Sequence, residues 1–387
     1  MFYGIGRAFS LYSRSTTTTT IYFKSKALRG VSMKVRVHKQ IIETLLINLQ
    51  PFLEKKDASH ITSHVFFATH EKSCTIKATD SEIGLQIETN QIQIDHPGMF
   101  TINGKKFLDI IRILHDDEIT LELLNDMLTI KQKHSKFRLP TFNVNNYPTF
   151  PTVENKSKIT LDSFSLIHNL KRISPAIDTN NPKYELNGAL IHIGAHTTDM
   201  VGTDTRRLAI TTIPGGADSE LSLILPKKAI LEIQKLFLDQ IEIFYDETTL
   251  LIQNSTTLFY TRLINGKFPD YQRIIPSTLK HEFSLPKKAM MDSIRMITTI
   301  SQEIKIIFMN NLVLFHSLSP DNVEAKTEIE IQTGMEHPFE ISLNSKFMLD
   351  FLSQVEHDHF QIGFNESSLP FVVKDDNFMT IIMPIVA

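Results

Sequence analysis

The chain has 387 residues, of which 42% are hydrophobic and 21% are charged, and its formal net charge is −3 at pH 7. This hydrophobic content excludes an intrinsically disordered chain, and the length predicts two or three domains. No segment approaches the roughly 18 consecutive apolar residues of a membrane-spanning helix. Cys74 is the one cysteine, which excludes an intramolecular disulfide framework and predicts a reducing, cytoplasmic setting.

Residues 1–32 differ in composition from the rest of the chain. They contain five Lys and Arg residues, no Asp or Glu, and a run of threonines at residues 16–20. Such a composition is typical of an organellar transit peptide, or of a non-native or unstructured extension upstream of Met33. Because periodic patterning begins only after Met33, we favour the extension and exclude it from the fold.

The remaining chain is acidic. Without residues 1–32, 35 Lys and Arg stand against 43 Asp and Glu, a formal net charge of −8. A protein that holds DNA by electrostatic attraction alone is basic overall. If this protein acts on DNA, it must stay there by another physical means.

Three similar segments divide the chain after Met33. They start 124 residues apart, and each alternates apolar and polar residues as a strand with one buried face does. The segments start at Lys34, Lys158 and Glu282. An amphipathic helix pattern follows each start and carries an equivalent apolar residue, namely Leu46, Leu170 or Ile294. The repeat predicts three domains, at residues 33–155, 156–280 and 281–387.

A shorter repeat divides each domain into halves. The string Leu-Pro-Lys-Lys-Ala occurs at residues 225–229 and 285–289, each time between a strand-like and a helix-like run. Proline suits the first turn of a helix, so Pro226 and Pro286 are predicted there. Related junctions occur at residues 102–107 and 343–348. Each domain is therefore predicted to contain two strand–helix–strands units.

These units predict an α+β fold with a defined layering. One unit cannot bury its apolar face alone, so two units share a core, with their helices packed together and their sheets outside. A row of three such domains leaves a sheet edge at each end, and a head-to-tail homodimer satisfies both edges. The result is a closed ring of six similar domains with helices lining the inside. An open solenoid is the alternative.

Basic residues recur at equivalent places in the predicted helices. Three of the six units carry a pair of cations seven residues apart, which lie on one helix face, and a fourth unit carries a single lysine. A basic lining inside an acidic ring favours sliding on DNA, because few phosphates are neutralised at once. An ordinary solvated face is the alternative. The residues are Lys105, Arg112, Lys171, Lys228, Lys235, Lys288 and Arg295.

Motifs for catalysis are missing from the sequence. The stretch that ends at Lys106 resembles a phosphate-binding loop, but Met99 replaces its first glycine and no hydroxyl residue follows the lysine. The cluster at residues 357–359 is interpreted as a solvated turn rather than a metal site. Asp80 and Asp204, each after a threonine, are interpreted as turn-forming residues. We predict a non-catalytic protein without cofactor or metal.

Four motifs carry a family resemblance. They are Glu-Leu-Asn-Gly at residues 185–188, Val-Gly-Thr-Asp-Thr-Arg-Arg-Leu at 201–208, Asn-Gly-Lys-Phe-Pro-Asp-Tyr at 265–271, and Met-Pro at 383–384. In their order and spacing the chain resembles the bacterial sliding clamp, the beta subunit of DNA polymerase III, from Met33 to Ala387. The resemblance implies a non-catalytic homodimeric ring that encircles double-stranded DNA and tethers the replicative polymerase.

The resemblance also implies a hydrophobic peptide pocket between the second and third domains. In the family this pocket takes short segments of the polymerase alpha subunit, the clamp loader, mismatch-repair proteins and ligase. The first subsite is implied at Leu186, Thr203, Thr205, Arg207, Leu208, Pro269, Arg273 and Ile274. The second subsite is implied at Leu369, Ile381, Met383, Pro384 and Ile385. Without the resemblance, Leu208, Ile381 and Met383 read as ordinary core residues.

Further DNA contacts are implied at Lys56, Lys183 and Tyr184. This chain differs from some relatives at Glu185, where an aromatic residue is found in the family, and at its last residues, which lack a familiar basic side chain. These differences point to a distinct peptide preference. A repeat-built protein–protein scaffold that does not encircle DNA is the alternative function, and a nucleotide-handling enzyme is disfavoured by the missing phosphate loop.

Overall fold

The computed structural model describes residues 33–386 except 58, 160, 218–219, 238–239 and 319–322. The predictions for residues 1–32 therefore lie outside the described residues. Six α-helices occur in the described part of the chain. They are α1 (Lys39–Leu49), α2 (Gly104–Ile113), α3 (Ser163–Ile173), α4 (Lys227–Leu236), α5 (Lys287–Thr298) and α6 (Ser345–Gln354).

In each third of the chain one strand precedes the first helix, and groups of strands follow both helices. In the first third they are β1 (Met33–His38), β2 (His64–Thr69), β3 (Cys74–Thr79), β4 (Ile83–Thr89), β5 (Gln93–His96), β6 (Met99–Asn103), β7 (Glu118–Leu124), β8 (Met127–Gln132) and β9 (Ser135–Pro140). In the middle third they are β10 (Ser157–Ile159), β11 (Gly188–Ile193), β12 (Thr197–Thr203), β13 (Arg207–Pro214), β14 (Leu221–Pro226), β15 (Glu242–Tyr245), β16 (Thr249–Gln253) and β17 (Thr257–Arg262). In the last third they are β18 (His281–Pro286), β19 (Glu303–Met309), β20 (Leu312–Ser317), β21 (Lys326–Glu330), β22 (Phe339–Asn344), β23 (His359–Phe364), β24 (Phe371–Asp375) and β25 (Phe378–Ile382).

The predicted repeat is confirmed in the core. The helices pack in pairs, α1 with α2, α3 with α4 and α5 with α6. Leu46, Leu170 and Ile294 are all buried at the equivalent position of the first helix of each pair. The repeated apolar position therefore marks where each helix faces its own sheets and its partner helix.

The helix starts correct one detail of the sequence prediction. Helices α4 and α5 begin at Lys227 and Lys287, so Pro226 and Pro286 are the N-cap residues and end the preceding strands. Both prolines have extended backbone with ψ of 140° and 120°. Proline here ends the strand one residue before the first helical turn instead of occupying it.

The four sheets are antiparallel, and two of them cross from one domain to the next. Their strand orders are β5-β1-β7-β8-β9, β10-β15-β16-β17-β4-β3-β2-β6, β14-β11-β12-β13-β25-β24-β23-β18 and β21-β20-β19-β22. The first domain joins the second where β4 pairs with β17, and the second joins the third where β13 pairs with β25. Backbone hydrogen bonds of two continuous sheets therefore connect the three domains.

A buried ion pair reinforces the second of these junctions. Arg172 of α3 donates to a carboxylate oxygen of Asp375 at 3.1 Å, and both side chains are at most 4% exposed. Asp375 also accepts from the backbone N–H of Glu356 and pairs with Nδ1 of His357 at 2.7 Å. Arg172 donates in addition to Asn377, and its guanidinium lies over the ring of Phe378. Removing one partner of such a pair leaves a buried charge and costs about 3–5 kcal/mol.

The core position in α1 gives a direct stability test. Leu46→Ala removes a fully buried side chain and is expected to lower the free energy of unfolding by about 2–5 kcal/mol, because a cavity forms. The adjacent Ile47→Ala is the matched control, because Ile47 is 45% exposed. Urea unfolding followed by circular dichroism measures both. Equal losses for the two variants would contradict the assigned helix face.

The junction carboxylate gives a pH test. The hydrogen bond and charge of Asp375 raise the pKa of His357 above its ordinary value of about 6.5. Protonated His357 therefore stabilises the fold below that value, and the contribution is lost as the pH rises through the raised pKa. Between about pH 5.5 and about pH 8.5 the melting temperature of the unaltered chain should fall relative to that of His357→Gln. The exposed His359→Gln should follow the unaltered chain, and parallel curves for all three would refute the linkage.

Candidate functional site

A second apolar cluster lies at the junction of the second and third domains, apart from the main core. It brings together side chains that are distant in sequence, including Leu186, Leu208 and Ile381 of the predicted pocket. Its other buried members are Leu190, Val201, Ile210, Ile224, Ile264, Phe268, Tyr271 and Val372. The pairing of β13 with β25 sets Leu208 opposite Ile381, which places both predicted subsites on one sheet.

Burial separates the predicted pocket residues into a floor and an accessible surface. Leu186, Leu208 and Ile381 are at most 3% exposed, so they form a floor beneath the surface. Ile274 and Leu369 are each 45% exposed, and Met383 is 41% exposed. Large apolar side chains with this exposure are available to a ligand. Pro384 is buried, Ile385 is partly buried, and Pro269, Thr205 and Arg273 are exposed.

A tight turn between β12 and β13 shapes one wall. Thr203 donates its hydroxyl to the carbonyl of Arg207 at 2.6 Å, and Asp204 accepts from the backbone N–H groups of residues 206 and 207 at 3.0 Å each. Thr205 lies between them with φ of 72°, a left-handed conformation that is unfavourable for a β-branched residue. The sequence interpretation of Asp204 as a turn-forming residue is confirmed, and Asp80 forms the same turn.

Arg207 is buried in the wall behind this turn. Its guanidinium pairs with Asp204 at 3.0 Å and with Asp350 of α6 at 2.7 Å, and it lies 4.6 Å from the ring centroid of Phe347. Its side chain is 3% exposed. Arg207 therefore connects the second and third domains behind the candidate pocket instead of presenting a free charge on the surface.

The last residues of the chain are fixed beside the same turn. The backbone N–H of Met383 donates to the carbonyl of Arg206 at 2.9 Å, and that of Ile385 donates to the carbonyl of Ser342 at 2.7 Å. The first bond continues the β13–β25 pairing past the end of β25, and the second ties the chain end to β22 of the third domain. They hold the exposed side chain of Met383 next to the wall formed by the second domain.

The segment between β17 and β18 forms the opposite side. Residues Tyr271–Ile274 form a short 3₁₀ helix that contains Arg273 and Ile274. The hydroxyl of Tyr271 donates to Asp199 at 2.7 Å, and burial together with the Asp199 carboxylate raises the pKa of Tyr271. The phenol therefore stays protonated as a donor, which anchors this segment to β12. Arg273 pairs with Asp270 at 2.8 Å on the surface.

The cations predicted to face DNA lie on the helices, but they do not form one uniform set. In the described part of the chain, Lys105, Arg112, Lys171, Lys288 and Arg295 are exposed and have no ion-pair partner. Lys228 instead pairs with Asp80 of the first domain, and Lys235 pairs with Glu232 at 2.9 Å. These two are therefore partly neutralised, and Lys228 also bridges two domains.

A cavity in the first domain collects further basic residues. It has a volume of about 710 Å³ and lies between the end of α1 and helix α2. Its charged lining residues are Glu54, Lys55, Lys105, Lys106, Asp109 and Arg112. Sequence reasoning missed Lys55 and Lys106, because neither belongs to a cation pair at the repeated spacing. Their proximity to Lys105 depends on the packing of α1 against α2.

The remaining predicted contacts lie on loops. Lys56 is exposed after the first helix, and Lys183 and Tyr184 are exposed before β11, with Tyr184 at 61%. Tyr184 begins a short 3₁₀ helix (Tyr184–Asn187), and Glu185, the next residue in it, is partly buried. Within the described residues there is no group of three or more His, Cys, Asp or Glu side chains placed to hold a metal ion.

Family models match the chain in three consecutive pieces. They are the N-terminal domain of the DNA polymerase III beta subunit at residues 33–151, its central domain at 160–270 and its C-terminal domain at 272–386. The chain is 38% identical to the beta sliding clamp of Helicobacter pylori J99 over 352 residues, which cover 89% of this chain and 94% of that protein. The beta sliding clamp of Vibrio cholerae is 26% identical over 338 residues, which cover 84% of this chain and 92% of that protein.

Solved structures give the same picture. The H. pylori beta clamp bound to a DNA ligase peptide has a TM-score of 0.86 and 38% identity, and the match covers 92% of this chain and all of that one. The DNA polymerase III beta subunit of Pseudomonas aeruginosa, at 22% identity and a TM-score of 0.84, shares the fold. The chain therefore belongs to the family of the DNA polymerase III beta subunit, the beta sliding clamps.

Proposed function

We propose that two copies of this chain close head to tail into a ring, and that the ring slides on duplex DNA while tethering a replicative polymerase. The observation that carries the proposal is the repeated pairing of domains through their edge strands. All three domains match sliding clamps in order, which favours this function over a scaffold that does not encircle DNA.

The two junctions within the chain follow one rule. The third strand after a domain's first helix pairs with the last strand of the next domain, β4 with β17 and β13 with β25. The same rule gives β21 of the third domain a partner in the last strand of a first domain, which is β9. Both β21 and β9 are edge strands in this chain, and exposed edges are pairing surfaces. Pairing β21 with the β9 of a second copy, twice, closes a ring of six domains.

The charges on these edges are complementary. Strand β9 exposes Lys136 and Arg138. Strand β21 exposes Glu328 and Glu330, and also Lys326 at its first position. In the described part of the chain none of these five side chains has an ion-pair partner. Phe137, Leu139 and Ile329 alternate with them and pack against the core. Opposite charges on two edges with the same alternation favour head-to-tail pairing over pairing of like ends.

The charge distribution suits sliding. The free cations of the helices supply attraction to phosphates, while the acidic remainder of the chain prevents tight electrostatic binding. Retention then depends on closure of the ring rather than on affinity. Lys56, Lys183 and Tyr184 are proposed as additional contacts from the loops, and the domain limits 33–155, 156–280 and 281–387 remain part of the proposal.

The pocket at the second junction is proposed to bind short linear peptides. The candidate partners are the polymerase alpha subunit, the clamp loader and other proteins with a clamp-binding segment. The ligase peptide in the related H. pylori structure supports this assignment. Two leucine-sized side chains buried on the floor would contribute about 3–6 kcal/mol. After ordering costs the affinity should be about micromolar, which suits partners that exchange.

The protein is proposed to act without catalysis of its own, as a processivity subunit in the cytoplasm. No helix among the described residues has both the length and the apolar composition to cross a membrane.

Topological retention is tested on circular DNA. Clamps loaded on nicked circular DNA should stay bound at high salt and be lost within seconds to minutes once the DNA is cut, because linear DNA has free ends. Gel filtration of labelled clamp with DNA measures this. Equal retention on both forms would refute encirclement.

Ring closure is tested by charge reversal at the edges. The double change Lys136→Glu with Arg138→Glu should give monomers, since it sets like charges opposite Glu328 and Glu330. A chain with Glu328→Lys and Glu330→Lys should also be monomeric alone. Mixing it with the first variant should restore dimers, because both contacts of a mixed ring then set opposite charges against each other. Analytical ultracentrifugation distinguishes these states. Lys326→Glu alone is the matched control and should leave the dimer intact. Dimers in every sample, including each double variant by itself, would overturn the pairing.

The pocket is tested by deleting residues 383–387. Peptide binding should be lost, because the deletion removes Met383 and the two backbone bonds beyond β25, while the dimer should persist because the terminus lies away from β9 and β21. Fluorescence anisotropy of a labelled ligase peptide measures binding. Undiminished binding would show that the pocket is elsewhere.

A further inference from the structure

The turn that forms one wall of the pocket has a counterpart 124 residues earlier. Ser81 and Thr205 are separated by that distance, and both adopt left-handed backbone, with φ of 77° and 72°. Thr79 donates its hydroxyl to the carbonyl of Ile83 at 2.7 Å, as Thr203 does to that of Arg207 at 2.6 Å. The first domain therefore carries a full copy of this wall at its junction with the second domain.

The strands that follow the two turns are also equivalent. Strand β4 pairs with β17, and Gly84 lies opposite Tyr260. Strand β13 pairs with β25, and Leu208 lies opposite Ile381. Gly84 and Leu208 are 124 residues apart, so Tyr260 at the first junction takes the position that Ile381 has at the second.

Tyr260 occupies the space above Gly84. A Cβ atom on Gly84 would lie 2.2 Å from Cε1 of the Tyr260 ring, so a side chain at residue 84 and this ring exclude one another. The ring is fixed in place, because its hydroxyl lies 2.6 Å from Oγ1 of Thr79. At the first junction, the Tyr260 ring, which is bonded to the turn, therefore covers Gly84, the residue equivalent to Leu208.

Phe150 packs beside Tyr260 at the same junction. Its ring packs edge-on against Tyr260, with centroids 5.1 Å apart and an interplanar angle of 83°. Phe150 is 8% exposed, whereas Ile274, which lies 124 residues later, is 45% exposed. The equivalent linker residue is thus packed inward at the first junction and left open at the second.

We propose that Tyr260 and Phe150 fill a second copy of the peptide pocket, at the junction of the first and second domains, and so limit each chain to one peptide. This inference rests on the proposed peptide-binding function of the open junction. A closed ring of two chains then presents two peptide sites, although its repeats supply four equivalent junctions within the chains.

The experiment gives the closed junction the residues of the open one at the two positions that hold the rings. Phe150→Ile and Tyr260→Ile introduce the equivalents of Ile274 and Ile381, and Thr79 keeps its bond to the carbonyl of Ile83. Isothermal titration with the ligase peptide used for the H. pylori clamp should give one peptide per unaltered chain and two per double variant. Phe308→Ile, a buried change in the third domain, is the cavity control and should remain at one.

Deletion of residues 383–387 separates the two sites. The truncated chain should bind no peptide, and the truncated double variant should bind one. A folded double variant that still binds one peptide, and none after truncation, would overturn the inference. If the double variant does not fold, the larger replacements Phe150→Leu and Tyr260→Leu are titrated together in both backgrounds, and unchanged stoichiometry in that folded chain is again decisive against it. If the unaltered chain binds no peptide, the result contradicts the proposed peptide-binding function and not this inference alone.

Discussion

The pairing of strands across domain boundaries is the interaction on which the rest of this molecule depends. A unit of strands and one helix leaves an apolar face and an unpaired edge, and the chain resolves both by packing helices in pairs and by extending its sheets across domain boundaries. Two edges within the chain are satisfied by β4 with β17 and by β13 with β25. Strands β9 and β21 lie at sheet edges in the positions that this pairing rule leaves without a partner, and they carry opposite charges, so assembly continues the rule that already operates inside the chain. Ring shape and peptide pocket both follow from these junctions.

The junctions differ in what they do with the same geometry. At the second junction, Leu208 and Ile381 form a buried floor, while Ile274 and Met383 are exposed. Arg207 is held behind this floor by two carboxylates. At the first junction, Tyr260 lies where a side chain on Gly84 would stand. On the proposed function, a repeated architecture acquires one peptide site per chain because a few side chains differ in volume between the junctions, while the backbone pairing is the same.

Much of the fold was predictable because it depends on local and periodic signals. The 124-residue spacing identified the three domains, and buried Leu46, Leu170 and Ile294 confirm it. The turn role of Asp80 and Asp204 was also predictable, since a Thr-Asp pair bonds to the next few residues. The ion pair of Arg172 with Asp375 was not, because its partners are 203 residues apart and neither carries a local signal. The burial of Arg207 and the pairing of Lys228 with Asp80 were missed for the same reason.

The central claim is that two chains close into a ring through β9 and β21. Electron microscopy of the purified protein, with the particle mass measured in parallel by light scattering, tests it most directly. The account predicts particles of two chains with a central hole wider than the roughly 20 Å of a DNA duplex, and continuous sheet across both contacts between chains. Open arcs, single chains at micromolar concentration, or dimers joined through other surfaces would contradict it.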